Sequence, residues 1–114
     1  MAKKNDTKNN ETKDKGTMTE IVFSHEPQSQ GVVFRMGGEK GIARFSPYVW
    51  LSYCDYEIGG RTVKLDFSRY DVVLRAAENH SLDKFFAAVA KNDCSGVAEK
   101  DGALTIEIIE KEEG

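Results

Sequence analysis

The chain has 114 residues, 39% of them hydrophobic and 31% charged, with a formal net charge of −3. That length suits one small domain with one core, no run approaches the roughly 18 apolar residues of a membrane span, and a small acidic excess supplies no general basic field. Cys54 and Cys94 are too few for a disulfide scaffold, and GxGxxG and P-loop patterns are absent.

Residues 1–17 lack aromatic and β-branched aliphatic side chains and are dense in Lys, Asn, Asp and Thr, the composition of a disordered polar tail. Five lysines against three acids make this arm mildly basic and leave a net charge of −5 for the remainder, residues 18–114, which are expected to form the domain. The N-terminal lysines are not followed by an apolar segment, so no secretory signal is read and a cytoplasmic location is the default expectation.

Glu20 to His25 is rich in strand formers. Gly31 to Met36 and Gly41 to Ser46 flank Gly37-Gly38-Glu39-Lys40 and predict a hairpin. Pro47 suits the start or the edge of a strand. From Tyr48 to Phe67 the sequence YVWLSYCDYEIGGRTVKLDF reads as a second hairpin turning at Gly59-Gly60, a dipeptide that supplies positive φ angles. Counting outward sets Tyr56 against Val63, Cys54 against Leu65 and Ser52 against Phe67. Period-two alternation then assigns Tyr48, Trp50, Cys54, Tyr56, Val63, Leu65 and Phe67 to a core face. The other face carries Val49, Leu51 and Tyr53 as an apolar stripe that wants burial, with Asp55, Thr62, Lys64 and Asp66 beyond it.

Ser68 predicts an N-cap, with Asp71 at the third helical position and Tyr70, Val73, Leu74 and Ala77 on one apolar stripe. Ser81 predicts a second cap, for SLDKFFAAVAKN, with Leu82, Phe85, Phe86, Val89 and Ala90 as its buried side. Gly96 to Glu99 and Leu104 to Ile109, separated by Lys100-Asp101-Gly102, predict a terminal hairpin, and EKEEG an acidic, frayed end. The expected fold class is therefore α+β: a mostly antiparallel sheet of about four to six strands, then two short helices and a C-terminal β-hairpin, with helices on one sheet face and the other face open.

Catalytic constellations are weak. His25 and His80 lie near element ends in no ligand spacing, and Cys54 points toward an apolar face where a thiolate is disfavoured. The expectation is a binding protein that is not an enzyme and takes no cofactor or metal. One candidate partner is single-stranded nucleic acid, read from basic and aromatic residues interleaved along the strands: Phe34-Arg35, Arg44-Phe45, Tyr53 near Lys64, and Arg61 at a hairpin tip. Stacking on aromatic faces supplies about 1 to 3 kcal/mol per base while cations track the backbone. Against it, residues 20–80 hold seven basic and eight acidic side chains, and the section from Asp93 seven acidic and two basic. The competing reading is a small protein-interaction or inhibitor module, of the kind that accompanies mobile elements, docking through the apolar stripe or an acidic surface.

The run from about Gly31 to Asn79, with Gly60-Arg61 ahead of a short strand and a capped helix at Ser68, resembles the PC4-like single-stranded-DNA-binding proteins. The resemblance covers under half of the chain. It implies a curved four-stranded sheet leading into a helix, and a homodimer that binds single strands with its sheet faces, although the lysine-rich sheet of that family is not seen in this sequence.

Overall fold

A computed structural model of the chain describes residues 18–57 and 61–111. The tail call on residues 1–17, the Gly59-Gly60 turn and the last three residues lie outside the described set.

The chain forms two four-stranded sheets around one core. The first orders its strands β2 (Ser24–His25), β9 (Cys94–Ala98), β3 (Gly31–Met36), β4 (Ile42–Pro47). The second runs β10 (Leu104–Glu110), β7 (Tyr70–Ala76), β6 (Thr62–Asp66), β5 (Tyr53–Tyr56) and is antiparallel throughout. A two-residue parallel pair, β1 (Thr19–Glu20) with β8 (His80–Ser81), and one helix, α1 (Asp83–Ala90), complete the fold of the described residues. The α+β class holds, with strands predominating.

The core lies between the sheets. Val32 and Phe34 of β3 and Val97 of β9 meet Val63 and Leu65 of β6, Val72 and Leu74 of β7, and Ile106 of β10. Phe34 and Phe67 cross edge to face, 6.0 Å between centroids, a geometry in which the ring edge of one meets the π face of the other. Phe85, Ala88 and Val89 of α1, with Leu82 just before it, enter the same core. The helix packs against β9 and β5, so it spans the gap between the sheets at one side and does not cover a sheet face. Its first turn is satisfied from outside the helix: Ser81 Oγ accepts the Asp83 N–H, and the Glu20 carboxylate accepts that of Lys84. Ala88 fills the buried position that the sequence pattern gives to Ala90, which is exposed.

Two predicted pairings form. β3 and β4 pair antiparallel with Gly31 opposite Pro47 and Met36 opposite Ile42. β5 and β6 pair with Tyr56 opposite Val63 and Cys54 opposite Leu65, and the Ser52 N–H extends the ladder to the Asp66 carbonyl.

Several expectations are corrected. Residues 70–76 are strand β7, not a helix, so the described residues contain one α-helix where two were expected. Tyr70, Val72, Leu74 and Ala76 are all buried, a period-two set that shares only Tyr70 and Leu74 with the supposed helical stripe. β7 also has a strand on each side to satisfy its backbone. Ser68 caps nothing. It sits at φ 74° in a tight turn, where the Asp66 carboxylate accepts its N–H and Phe67 donates to the Tyr70 carbonyl. The capped helix that carried the family resemblance is thus a strand.

The C-terminal hairpin is also absent. β9 and β10 belong to different sheets, joined only by a single Lys100 to Leu104 bridge at the crossing turn. Finally, the long strand begins at Tyr53, because Tyr48–Trp50 is a 3-10 turn. That turn breaks the alternation: Tyr48 is buried, but Trp50 is exposed and not part of the core.

Candidate functional site

β4 and β5 are consecutive strands, and each is the last strand of its own sheet. The 3-10 turn between them carries the chain from one sheet to the other, so residues 42–56 supply two strand edges that no other described strand covers. Exposed apolar side chains concentrate in this segment. Of the eight large hydrophobic residues exposed among the described residues, five are Ile42, Phe45, Val49, Trp50 and Tyr53, with Val49 88% accessible. Lone exposed apolar residues are ordinary on a protein surface, but a grouping along one rim is not.

The backbone directions along β4 can be assigned. Tyr48 donates its N–H to the Gln30 carbonyl, continuing the β3–β4 register, so the even-numbered residues of β4 bond toward β3. Ala43, Phe45 and Pro47 therefore direct their backbone groups outward. Agreement comes from the far side of β3, where the Arg35 carbonyl accepts from Glu99 on the β9 side and is not engaged with Ala43. Pro47 has no N–H, so it limits what the edge can donate, a common protection of exposed strand edges.

Phe45 lies flat on its own sheet. A Cβ added to Gly31 would come within 2.7 Å of the Phe45 ring, so the glycine is required for the ring to rest there. On the same outer face, Arg35 lies diagonal to Phe45 and covers Gly96, where an added Cβ would meet its guanidinium at 3.6 Å.

The residues expected to form one binding face are dispersed. Arg44 is on the core side of β4, its guanidinium 4.7 Å from the centroid of the Tyr70 ring and 3.1 Å from Glu110. Lys64 is on the outer face of the other sheet, 3.6 Å from Asp71. Arg61 is exposed ahead of β6, its carbonyl accepting the Ala76 N–H. Arg35 is exposed on the first sheet and makes no ion pair among the described residues. Val49 is on the turn, Leu51 packs partly against the core, and Tyr53 is on the second sheet opposite Asp66. The apolar stripe expected from Val49, Leu51 and Tyr53 is thus not one face. Sequence reasoning missed Ile42 and Trp50 and used Phe45 only as a neighbour of Arg44. The signal was Pro47 closing β4, which marks an edge.

The outer face of the second sheet is a charge network. Asp66 and Asp71 are cross-strand neighbours. Lys111 Nζ sits between them, 2.8 Å from Asp66 and 3.6 Å from Asp71. The Lys111 hydrogen bond, helped by the Ser68 N–H, lowers the Asp66 pKa, and the same bond raises that of Lys111. Arg75 and Glu107 pair at 3.0 Å across β7 and β10.

The thiols are unsuited to nucleophilic work. Burial pushes Cys54 up to about 12, reinforced by the nearby Asp55 charge, and Cys94 to about 11. Tyr48 is likewise raised by burial while it donates to the Cys94 carbonyl at 2.6 Å. His25 approaches Asp93 at 3.9 Å, and His80 Nδ1 lies 3.0 Å from the Glu78 carbonyl. No three His, Cys, Asp or Glu residues are grouped to hold a metal among the described residues.

Two shallow clefts of about 320 and 480 Å³ flank the Glu99-to-Leu104 crossing. Glu99 lines both, but its carboxylate oxygens are engaged by the N–H groups of Gly37 and Ile106. No helix is long and apolar enough to cross a membrane among the described residues. Comparison of the chain with protein-family models, with curated proteins and with solved structures gives no match.

Proposed function

We propose that this protein is a non-catalytic protein-binding module whose docking surface is the rim made by β4, the Tyr48–Trp50 turn and β5. The observation that carries this reading is the grouping of five exposed large hydrophobic residues along the two open edge strands and the turn that joins them. Such a rim offers a partner both backbone groups and apolar anchors, and aromatic anchors of the Trp50 and Tyr53 kind dominate many interfaces. The charge arrangement favours protein over nucleic acid: Arg44 and Lys64 each face a carboxylate, and Arg35 and Arg61 stand on different layers.

The test is capture from an extract of the source cells, read quantitatively for wild type, Val49→Asp, Trp50→Ala and, as a surface control, Val22→Asp. Proteins retained at high salt by wild type and by Val22→Asp, and lost with both rim variants, are the expected result. Retention that no rim variant alters sinks the proposal.

A second reading is favoured by one observation, the diagonal placement of Phe45 and Arg35 on the outer face of the first sheet. This pair suits a stacked base beside a phosphate of single-stranded nucleic acid. Fluorescence anisotropy of a labelled single-stranded oligonucleotide at low salt tests it. Binding lost in Arg35→Ala and Phe45→Ala, and falling steeply as salt rises, supports this reading; no binding at low salt ends it.

A further inference from the structure

We infer that the β4 half of the rim takes a second copy of this chain, antiparallel and across a two-fold axis at Phe45, joining the two first sheets into one eight-stranded sheet. The inference rests on the docking role proposed for the rim and specifies one occupant. The outward backbone groups limit the register, and the side chains then choose between the symmetric pairings that remain. Only Ala43, Phe45 and Pro47 face outward, so a symmetric antiparallel pair must place odd residues opposite odd residues.

With Phe45 on the axis, the two Phe45 residues exchange two N–H to C=O bonds. Each Ala43 N–H then meets the carbonyl of Pro47 in the second copy. Pro47 therefore acts only as an acceptor, and the missing N–H removes one bond from each end and leaves four in place. The neighbouring symmetric choice, with Arg44 on the axis, would bond Ala43 to Phe45 of the second copy through the same outward groups, but it would set two guanidinium groups directly across from each other, and like charges directly opposite are destabilising.

Side chains agree with the register. The two Phe45 side chains come to lie on the same outer face, about 5.5 Å between Cα atoms for a hydrogen-bonded pair, each ring resting over Gly31 of its own copy. Arg44 stands opposite the small Ser46 of the second copy, with no like-charge clash. Ile42, 61% exposed, comes opposite Tyr48 of the second copy, where the turn carrying Val49 begins. The pairing thus gathers exposed apolar residues that a monomer leaves in water, and opposes no two like charges along the strand. Tyr53, on the other sheet, is left outside it.

Sedimentation velocity of the full chain across a wide concentration range tests this. A reversible dimer is expected. Ala43→Pro removes one outward N–H per copy from a position that does not bond β3, so it should weaken the dimer about tenfold, as expected for two lost bonds of about 1 kcal/mol or less each. Phe45→Ala should weaken it independently, Tyr53→Ala should not, and thermal melts of each variant at dilute concentration report whether the fold survives. A monomer at all concentrations, or a dimer indifferent to both Ala43→Pro and Phe45→Ala, overturns the inference. Capture of other proteins that still depends on Val49 and Trp50 would in that case leave the docking role standing.

Discussion

The Glu99 carboxylate accepts the backbone N–H of Ile106 at 2.9 Å through one oxygen, while its other oxygen accepts the N–H of Gly37 at 2.8 Å. One side chain thereby ties the end of β3 in the first sheet to β10, the outer strand of the second. It also occupies an outward-facing donor of β10 that would otherwise lie open. The free edges of the molecule are consequently unequal: β2 is two residues long, β10 is partly covered by Glu99, and β4 and β5 are the ones left to a partner.

Glu99→Ala removes both acceptors at once and leaves the part-buried Ile106 N–H unpaired. The expected loss is about 1–3 kcal/mol, the range for an orphaned buried donor. Chemical denaturation of wild type and variant measures it. Glu99→Gln should recover part of the loss, because its amide keeps one acceptor oxygen. An Ala variant as stable as wild type would show that the clip contributes nothing.

Ser68→Gly should raise the melting temperature, and Ser68→Val should lower it by more. A non-glycine residue at φ 74° is strained, a β-branched one most of all. If residues 68–77 were a capped helix, Gly would weaken the cap and the first substitution would not stabilise, so the pair of melts also distinguishes strand from helix.

That distinction shows where the sequence was readable. Tyr70, Val73, Leu74 and Ala77 fit a helical stripe, while Tyr70, Val72, Leu74 and Ala76 fit a strand. In a segment so apolar, local periodicity cannot choose. The choice is made by β6 and β10, which bond to both sides of β7, and the β10 pairing comes from thirty residues away in the Thr105 to Arg75 partnership. The β3–β4 and β5–β6 pairings were legible because both partners are adjacent in sequence. The terminal strands were legible as strands, but their assignment to separate sheets depends on long-range pairing. For the candidate site, Val49 and Tyr53 stood out as apolar residues without cover. The cations beside them misled, because Arg44 and Lys64 answer to Glu110 and Asp71, which are distant in sequence.

Acid should weaken the fold through Asp66. Its pKa in the folded state lies below the ordinary value of 3.8, so the unfolded chain takes up the proton first. The stabilisation is present above about pH 4 and is lost as the pH falls through the lowered folded value. Lys111→Ala removes the chief cause of the shift and leaves Asp66 and Asp71 side by side with Lys64. It should reduce stability at neutral pH and flatten the acid dependence. Denaturation midpoints measured from neutral to acid pH for both proteins check the slope.

Alkali acts with the opposite sign on the thiols. Cys54 and Cys94 ionise near 12 and 11 when folded, against an ordinary value of 9.0. The unfolded chain loses these protons first, so stability falls as pH rises above about 9. Below that, both thiols should react slowly with a disulfide reagent in the native protein and promptly in denaturant. Rapid native labelling of either cysteine at neutral pH would contradict the burial described above.

The parallel pairing of β9 with β3 has a consequence for how the molecule is made. β9 is the strand that joins β2 to the rest of the first sheet, and the register aligns Gly96 with Val33. Before the residues from Cys94 onward are available, β3–β4 and the β5–β6–β7 meander can form only as separate local units, one sheet without its middle and the other without its last strand. Closure of so long a loop is entropically slow compared with hairpin formation. The strands Cys94–Ala98 and Leu104–Glu110 are therefore the closing elements of the fold: until they dock, the apolar inner faces of both units wait in water for the strands that bring them together.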